Sequence, residues 1–460
     1  MLVLNDEEYD GAVETTDWRY AAAITGLVRY LSYFDCEYDS ESNPDILKYH
    51  ESDLTEERYL EYVEMNYADD MHHIFVEEIL EQEEFSEDLL KLINTKLTAN
   101  TVMKKYFSKI KFDGTNQRLI LDIINENRRE LIKETYRNKS NLYANFANTN
   151  QLFSEEKTYS RLVGYYIDGP KKGKSISYQF DLGTYVSQDS KLFDYIPFAF
   201  TIGREAFFIN DNSSIEELIR TNNALLKSVR NAVSDGTQSN ADIRKTFFQS
   251  IIESKEYIDF DVEVILKDKD HSYFETMYLR KESIDVLRKL KKYESFCFSH
   301  KMNDNYYLNI QKKVSTAIIN MTKVDELIEL FLQTNIKLGT SDKYVQLINQ
   351  LIWVNLLVSG GEKMYQQIRE ARESAQQVIK NQKLRNNSKI KSYRTKLVSA
   401  LVFKDYKRYC DILVQLAGYT DLELDFAYKL FENFEANKEI AYAFVNALGS
   451  NNYDTNREDD

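Results

Sequence analysis

Thirteen lysines and arginines fall between Lys363 and Arg408, at positions 363, 369, 372, 380, 383, 385, 389, 391, 394, 396, 404, 407 and 408, against Glu370, Glu373 and Asp405. The segment carries a net charge of +10 in a chain of net −15. Cations at that density suit one kind of chemistry: they neutralise phosphates and hold a polynucleotide backbone without reading its bases. A second basic group, Lys171, Lys172 and Lys174, stands in the turn-rich run Asp168-Gly-Pro-Lys-Lys-Gly-Lys-Ser175, where it can touch a phosphate backbone or a groove edge. That run resembles a phosphate-binding Walker A loop, yet it has three residues between its glycines where four are required. It also lies between two strand patterns rather than ahead of a long helix, so nucleotide binding is not expected there. Asp69, His73 and Glu77 share a helical row at i, i+4 and i+8, but no fourth ligand accompanies them and no metal is expected. No Ser/His/Asp set, H-E-x-x-H, dinucleotide fingerprint or nuclease-like carboxylate cluster is visible. With five histidines and three cysteines the chain is poorly equipped for catalysis, so neither an enzyme nor a cofactor is expected.

The elements that must position these cations are helices. Met364, Ile368, Ala371, Ala375 and Val378 recur at helical spacing, as do Ile390, Tyr393, Leu397 and Leu401, and then Tyr406, Cys410, Leu413 and Ala417. Thr420 and Glu423 form a Thr-x-x-Glu capping box that predicts another helix, with Phe426, Leu430 and Phe434 on one face. A last helix carries Ile440, Ala443, Phe444, Ala447 and Leu448, and Gly449 sits where a C-cap is wanted. The end of the chain therefore reads as a small basic helical bundle, residues 341–460, appended to an acidic body, residues 1–340.

Within the body, Thr15, Thr16 and Asp17 offer N-caps for a helix from Trp18 to Phe34, with Ile24, Leu27, Val28, Leu31 and Phe34 as its buried stripe. Ala21, Ala22, Ala23 and Gly26 allow another element to approach closely. Residues 39–68 read as loop and then helix. Residues 86–150 read as helices bearing Lys104, Lys105, Lys109, Lys111, Arg128, Arg129, Lys133 and Arg137. The period then changes to two. Tyr159–Ile167 pairs in pattern with Ile176–Val186, Phe198–Ile202 with Ala206–Asn210, and Asp261–Leu266 with Tyr273–Leu279, giving three short hairpins. Helical patterns cover 214–233, 241–254, 282–293, 324–332 and 341–358, the last apolar nearly all round and so a buried junction helix. The fold class is α+β and mostly helical, a mixed N-terminal body with short β-hairpins followed by a C-terminal helical bundle.

Charge and composition narrow the function classes. A length of 460 residues admits two or three cores at about 150 residues each. Residues 1–100 hold 26 acids and six Lys/Arg, a net charge of −20, and should face solvent or a basic protein partner rather than phosphates. Both charge runs have a plainer reading as solvated helix faces. Cys36, Cys297 and Cys410 are isolated, which fits reduced thiols in the cytoplasm. The most apolar run, Leu347–Val358, is interrupted by Asn349, Gln350 and Asn355 and falls short of the roughly 20 residues that span a bilayer. A soluble, cytoplasmic protein without a membrane partner is expected.

Three segments together resemble one family. Trp18-x-x-Ala21-Ala22-x-Ile24-x-Gly26-Leu27-x-Arg29 resembles the opening helix of the large subunit of type I CRISPR effector complexes (Cascade), nearest the type I-B branch. Phe198–Asn210, ending Phe207-Phe208-Ile209-Asn210, is similar to the mid-chain hairpin of that branch. Ile440-Ala-Tyr-Ala-Phe-Val445, ending a bundle preceded by Lys389-Ile-Lys-Ser-Tyr-Arg394, is similar to its C-terminal end. The three lie in the right order across nearly the whole chain. Many relatives carry a paired C-x-x-C zinc element in mid-chain, which is absent here.

The resemblance implies a non-catalytic subunit of an RNA-guided DNA surveillance complex in antiviral defence. It would bind the 5′ end region of the crRNA, read the PAM on double-stranded target DNA and help open the R-loop. Its partners would be the backbone, crRNA-end and small subunits of the complex and a recruited helicase-nuclease. On that reading Lys171, Lys172 and Lys174 serve duplex or PAM-proximal DNA. Lys380, Lys383, Arg385, Lys389, Lys391, Arg394 and Lys396 serve strand backbones. Relatives of that branch commonly make a free small subunit by internal translation. Gly360-Gly-Glu-Lys-Met364 can be encoded by purine-rich codons of the ribosome-binding kind, which predicts a second product, residues 364–460; the alternative is that Gly-Gly simply ends a helix. Two other classes stand beside this one: a protein-only scaffold whose basic bundle docks acidic partners, and a defence effector whose site is assembled from scattered acids.

Overall fold

A computed structural model describes residues 8–154 except 83, 160–163, 189–234 except 204 and 212, 247, 261–290 except 270–272, 296, 299–338 except 304–305, and 342–449 except 385–386. The chain divides into two compact units, one up to Tyr278 and one from Leu279 onward. The helices of 279–340 thus belong to the same unit as the basic C-terminal helices.

The first unit opens with strand β1 (Gly11–Glu14) and helix α1 (Trp18–Tyr33), followed by strands β2 (Tyr38–Asp39) and β3 (Ile46–Tyr49). The strands form an antiparallel sheet of order β1-β3-β2, with Gly11 opposite Tyr49. Strand β3 and the end of β2 lie where residues 39–68 were expected to begin as loop. Asp17 caps α1, its carboxylate accepting from the Arg19 N–H at 2.8 Å. Ile24, Leu27, Val28 and Leu31 are buried as expected, whereas Phe34 follows the helix as its C-cap and is half-buried; a Cβ on Gly26 would overlap the Tyr195 carbonyl oxygen. The expected close approach therefore falls at Gly26.

Helices α2 (Glu56–Asn66), α3 (His72–Leu80), α4 (Glu87–Leu97), α5 (Thr101–Phe107) and α6 (Gln117–Asn138) follow. Ile79, Leu80, Ile93, Leu97, Phe107 and Ile124 close one core cluster; α1 and α2 share another with Tyr136 and Phe198. Short helices α7 (Tyr143–Phe146) and α8 (Ile196–Ala199), strand β4 (Glu205–Asn210), helix α9 (Ile215–Ser234) and strands β5 (Val262–Asp268) and β6 (Phe274–Leu279) complete the unit. The second sheet has the order β4-β5-β6. β4 therefore pairs with β5, and Phe198–Ile202 is not its hairpin partner. Pro197 sits in the first turn of α8, where its missing N–H costs nothing, and takes that segment helical. The expected hairpin of 159–167 with 176–186 lies largely outside the described residues, as does most of the helix expected over 241–254.

The tyrosines take on a role that their number alone did not suggest. Tyr143 donates to Asp194 Oδ1 at 2.5 Å, Tyr59 donates to the Asp194 carbonyl at 2.5 Å, and the Tyr59 and Tyr136 hydroxyls meet at 3.1 Å. Arg161 closes the set with an ion pair to Asp194 at 2.8 Å. Burial pushes the Asp194 carboxyl above its ordinary range despite the pull of Arg161.

The second unit comprises α10 (Lys281–Lys289), the ribbon β7 (Ser299–Asn303) and β8 (Tyr306–Asn309), α11 (Ile310–Ile319), α12 (Asp325–Lys337), α13 (Asp342–Val358), α14 (Tyr365–Lys380), α15 (Asn387–Val402), α16 (Tyr406–Thr420), α17 (Ala427–Glu432) and α18 (Lys438–Ala447). α13 is buried along most of its length, as its composition implied, and every residue of α18 is buried. The fold is α+β, mostly helical, with small sheets and a helical C-terminal region.

Two expectations about α16 fail. Thr420 does not open a helix: it ends α16, its hydroxyl returns to the Leu416 carbonyl at 2.7 Å, and Asp421 follows in the left-handed conformation. Along α16 the buried residues are Tyr409, Ile412, Leu413 and Leu416, a face turned from the expected Tyr406, Cys410, Leu413 and Ala417.

Candidate nucleic-acid interface

Helix α15 presents a basic surface. Ile390, Leu397, Val398 and Leu401 are buried. At 100° per residue the exposed positions, Ser388, Lys389, Lys391, Ser392, Thr395, Lys396 and Ser399, form one continuous arc opposite that apolar face. From Ser374 to Lys404 the sequence contains no Asp or Glu, so nothing on the helix competes for its lysines. Lys389 and Lys396 are about 10 Å apart along the axis at ~1.5 Å per residue, a span of roughly three phosphates on one strand at 3.4 Å each. The hydroxyls between them are neutral donors of the kind that also contact phosphate. Interleaved Ser and Thr were legible as a face only once the helix phase was fixed.

The surrounding cations differ in freedom. Lys380 is exposed in the last turn of α14, where a cation complements the helix dipole. Lys383, in the connection to α15, is ion-paired with Asp421. Lys389 donates to the Tyr419 hydroxyl at 2.5 Å and lies 4.7 Å from the centre of that ring; the same hydroxyl donates to the Lys383 carbonyl at 3.3 Å. Lys396 stands 5.9 Å from the Tyr393 ring, and Lys391 is exposed. Lys171, Lys172, Lys174 and Arg385 lie outside the described residues.

Arg394 does not belong with these residues. It is 4% exposed, its Nε donates to the Val445 carbonyl at 3.2 Å, and burial pushes its guanidinium down to about 10. The side chain lies under the end of α18, and a Cβ on Gly449 would overlap the Arg394 guanidinium. Gly449 is thus required for that close approach, not for a left-handed cap. A guanidinium in this place complements the carbonyl end of a helix.

The other expected cation groups are partly spent on the acidic region. Arg128 pairs with Glu64 at 2.6 Å and with Glu77, while Arg129 and Lys133 pair with Glu56 at 3.1 and 2.7 Å. Lys139 pairs with Asp70. Part of the negative charge of the first hundred residues is therefore answered from α6, inside the same unit. The expected Asp69/His73/Glu77 row does not form: Asp69 lies in the short turn Ala68–Asp70 ahead of α3, the buried His73 ring bonds Glu64 at 2.9 Å, and Arg128 pairs with both Glu64 and Glu77. Among the described residues no three His, Cys, Asp or Glu side chains gather as a metal site. No helix among them is long and apolar enough to cross a membrane.

Comparison with the curated proteins and with the solved structures gives no significant match. A family model described as CRISPR-associated protein Csx8 does match, over residues 9–448, taking in the α1 segment, the 198–210 segment and the lysine-bearing α15 together. With nearly its whole length covered, the chain belongs to the CRISPR-associated protein Csx8 family.

Proposed function

We propose that the chain is a non-catalytic large subunit of an RNA-guided DNA surveillance complex of the type I kind, nearest type I-B, and that α15 holds a strand backbone during R-loop formation. The observation that carries this reading is the acid-free arc of Lys389, Lys391 and Lys396 interleaved with Ser388, Ser392, Thr395 and Ser399. Such a face grips phosphates without reading bases, which suits a system whose sequence specificity resides in guide pairing. Lys171, Lys172 and Lys174 serve PAM-proximal duplex in the same reading. The partners are crRNA, target duplex, the other complex subunits and a recruited helicase-nuclease.

The test is the salt dependence of DNA binding. Replacing Lys389, Lys391 and Lys396 together by Gln should lower the slope of log K against log[salt] by roughly 0.7–0.9 per lost contact, about 2–3 in all. An unchanged slope would remove α15 from the interface. Absence of any salt-dependent binding by the wild-type chain would favour the scaffold reading. Metal-dependent cleavage by the purified chain would overturn the non-catalytic assignment.

A further inference from the structure

A groove of about 570 Å³ opens in the first unit between α1, α2 and α9, and the proposed function makes no use of it. Arg29 and Arg230 both line it. Arg29 donates to Asn223 Oδ1 at 2.8 Å and to the carbonyls of Phe198, Ala199 and Asn222 at 2.5, 3.1 and 2.9 Å. Every one of those acceptors is neutral. The guanidinium is therefore held in place without a countercharge among the described residues, and burial together with the neighbouring Arg230 charge brings it down to about 10. Arg230 is exposed and donates to Asn66 Oδ1 at 2.8 Å. Among the described residues neither arginine has a carboxylate partner.

The rest of the lining has a definite chemistry. Tyr33 is 42% exposed and is propped against Tyr62, with ring centres 5.3 Å apart, so an aromatic surface faces the groove. Glu41 and Glu216, both exposed, stand at the rim. Two guanidinium groups without a carboxylate partner among the described residues, a supported aromatic face and carboxylate acceptors match the parts of one ligand class. The phosphate of a nucleotide meets the arginines, its base stacks on a tyrosine, and an exocyclic amine donates to a carboxylate. An acidic peptide would satisfy the arginines but offers no base for Tyr33 and no exocyclic amine for the glutamates, and the volume is that of a small-ligand pocket.

We propose that this groove binds one nucleotide, free or at the end of a single strand, whose base carries an exocyclic amine. The phosphate lies at Arg29 and Arg230, the base at Tyr33, and the amine at Glu41 or Glu216. The proposal rests on the first unit alone and is independent of the α15 face.

The full chain is titrated calorimetrically with adenosine, cytidine and uridine 5′-monophosphates. Saturable binding of the first two is expected, with uridine 5′-monophosphate at least several-fold weaker. Arg230→Gln and Tyr33→Ala change exposed side chains and should each weaken adenosine 5′-monophosphate about tenfold at an unchanged melting temperature. Glu41→Gln and Glu216→Gln together should erase the preference over uridine. A 5′-phosphorylated oligo(dA) that competes assigns the end of a strand; the lack of competition assigns the free nucleotide. No binding of either amine-bearing nucleotide overturns the proposal, as does wild-type affinity in both the Arg230 and Tyr33 variants. Stronger binding of a hexaglutamate peptide also overturns it. The α15 triple variant should bind adenosine 5′-monophosphate as wild type does, and loss of binding there would place the nucleotide elsewhere.

Discussion

Arg394 and Lys396 are two residues apart and have opposite fates. The first is buried against the Val445 carbonyl and the second is exposed on the lysine arc. Replacing Arg394 by Met should leave the salt slope of DNA binding unaltered and change stability little, since the cost of desolvating the buried guanidinium offsets its bond to the Val445 carbonyl. Parallel salt titrations of Arg394→Met and the triple lysine variant check this. Gly449→Ala should cost about 1–3 kcal/mol, because the added methyl displaces the Arg394 guanidinium; a denaturant midpoint equal to wild type would contradict that geometry. The sequence could not separate Arg394 from its neighbours. Its burial depends on a carbonyl fifty-one residues away, and no local period records that contact. Tyr419 was hidden for the same reason: its partners Lys383 and Lys389 lie on the preceding elements.

Element by element, legibility followed local signals. The N-cap at Asp17 and the buried stripe of α1 were legible because cap and period agree within one helix. The lysine arc of α15 was legible as charge, and its apolar face as spacing. The phase of α16 was misread because apolar Tyr406, Cys410 and Ala417 compete with Tyr409, Ile412 and Leu416, and tertiary packing chose the latter. Gly360 is a case where the plainer reading has direct structural support. It takes φ +64° after α13, with Gly361 N–H donating to the Leu356 carbonyl at 2.8 Å and Gly360 N–H to Leu357 at 3.3 Å, the paired bonds of a Schellman cap. The contact between α2, α3 and α6 gives a pH prediction. Burial pulls the Glu64 carboxyl up, but His73 and Arg128 outweigh it and hold it below the ordinary 4.5. Because the folded value is depressed, the stabilisation is present above pH 4.5 and fades as the pH falls through the folded value. Glu64→Gln should therefore flatten the acid limb of a stability-versus-pH curve below pH 4.5, and an acid limb as steep as wild type would exclude this cluster.

For the whole molecule, the division at Leu279 sets what can stand alone. α18 is tied to elements that precede Met364: Asn446 Nδ2 donates to Val345 O and Asn349 Oδ1, each at 2.9 Å, Tyr442 donates to Glu329 at 2.8 Å, and Lys438 pairs with Asp325 at 2.9 Å. A product starting at Met364 would lose all four and expose the side of α18 that α13 covers. Residues 279–460 expressed alone should melt cooperatively, whereas 364–460 should bind a hydrophobic dye and show no sharp transition; equal cooperativity would mean that other surfaces cover α18. The burial of α18 on every side also orders events in time. Residues 279–437 cannot close their interior while 438–447 is still unmade, so on the ribosome this unit waits for its final helix, and a nascent chain cut short before Lys438 is left with an unfilled slot for quality-control machinery to find.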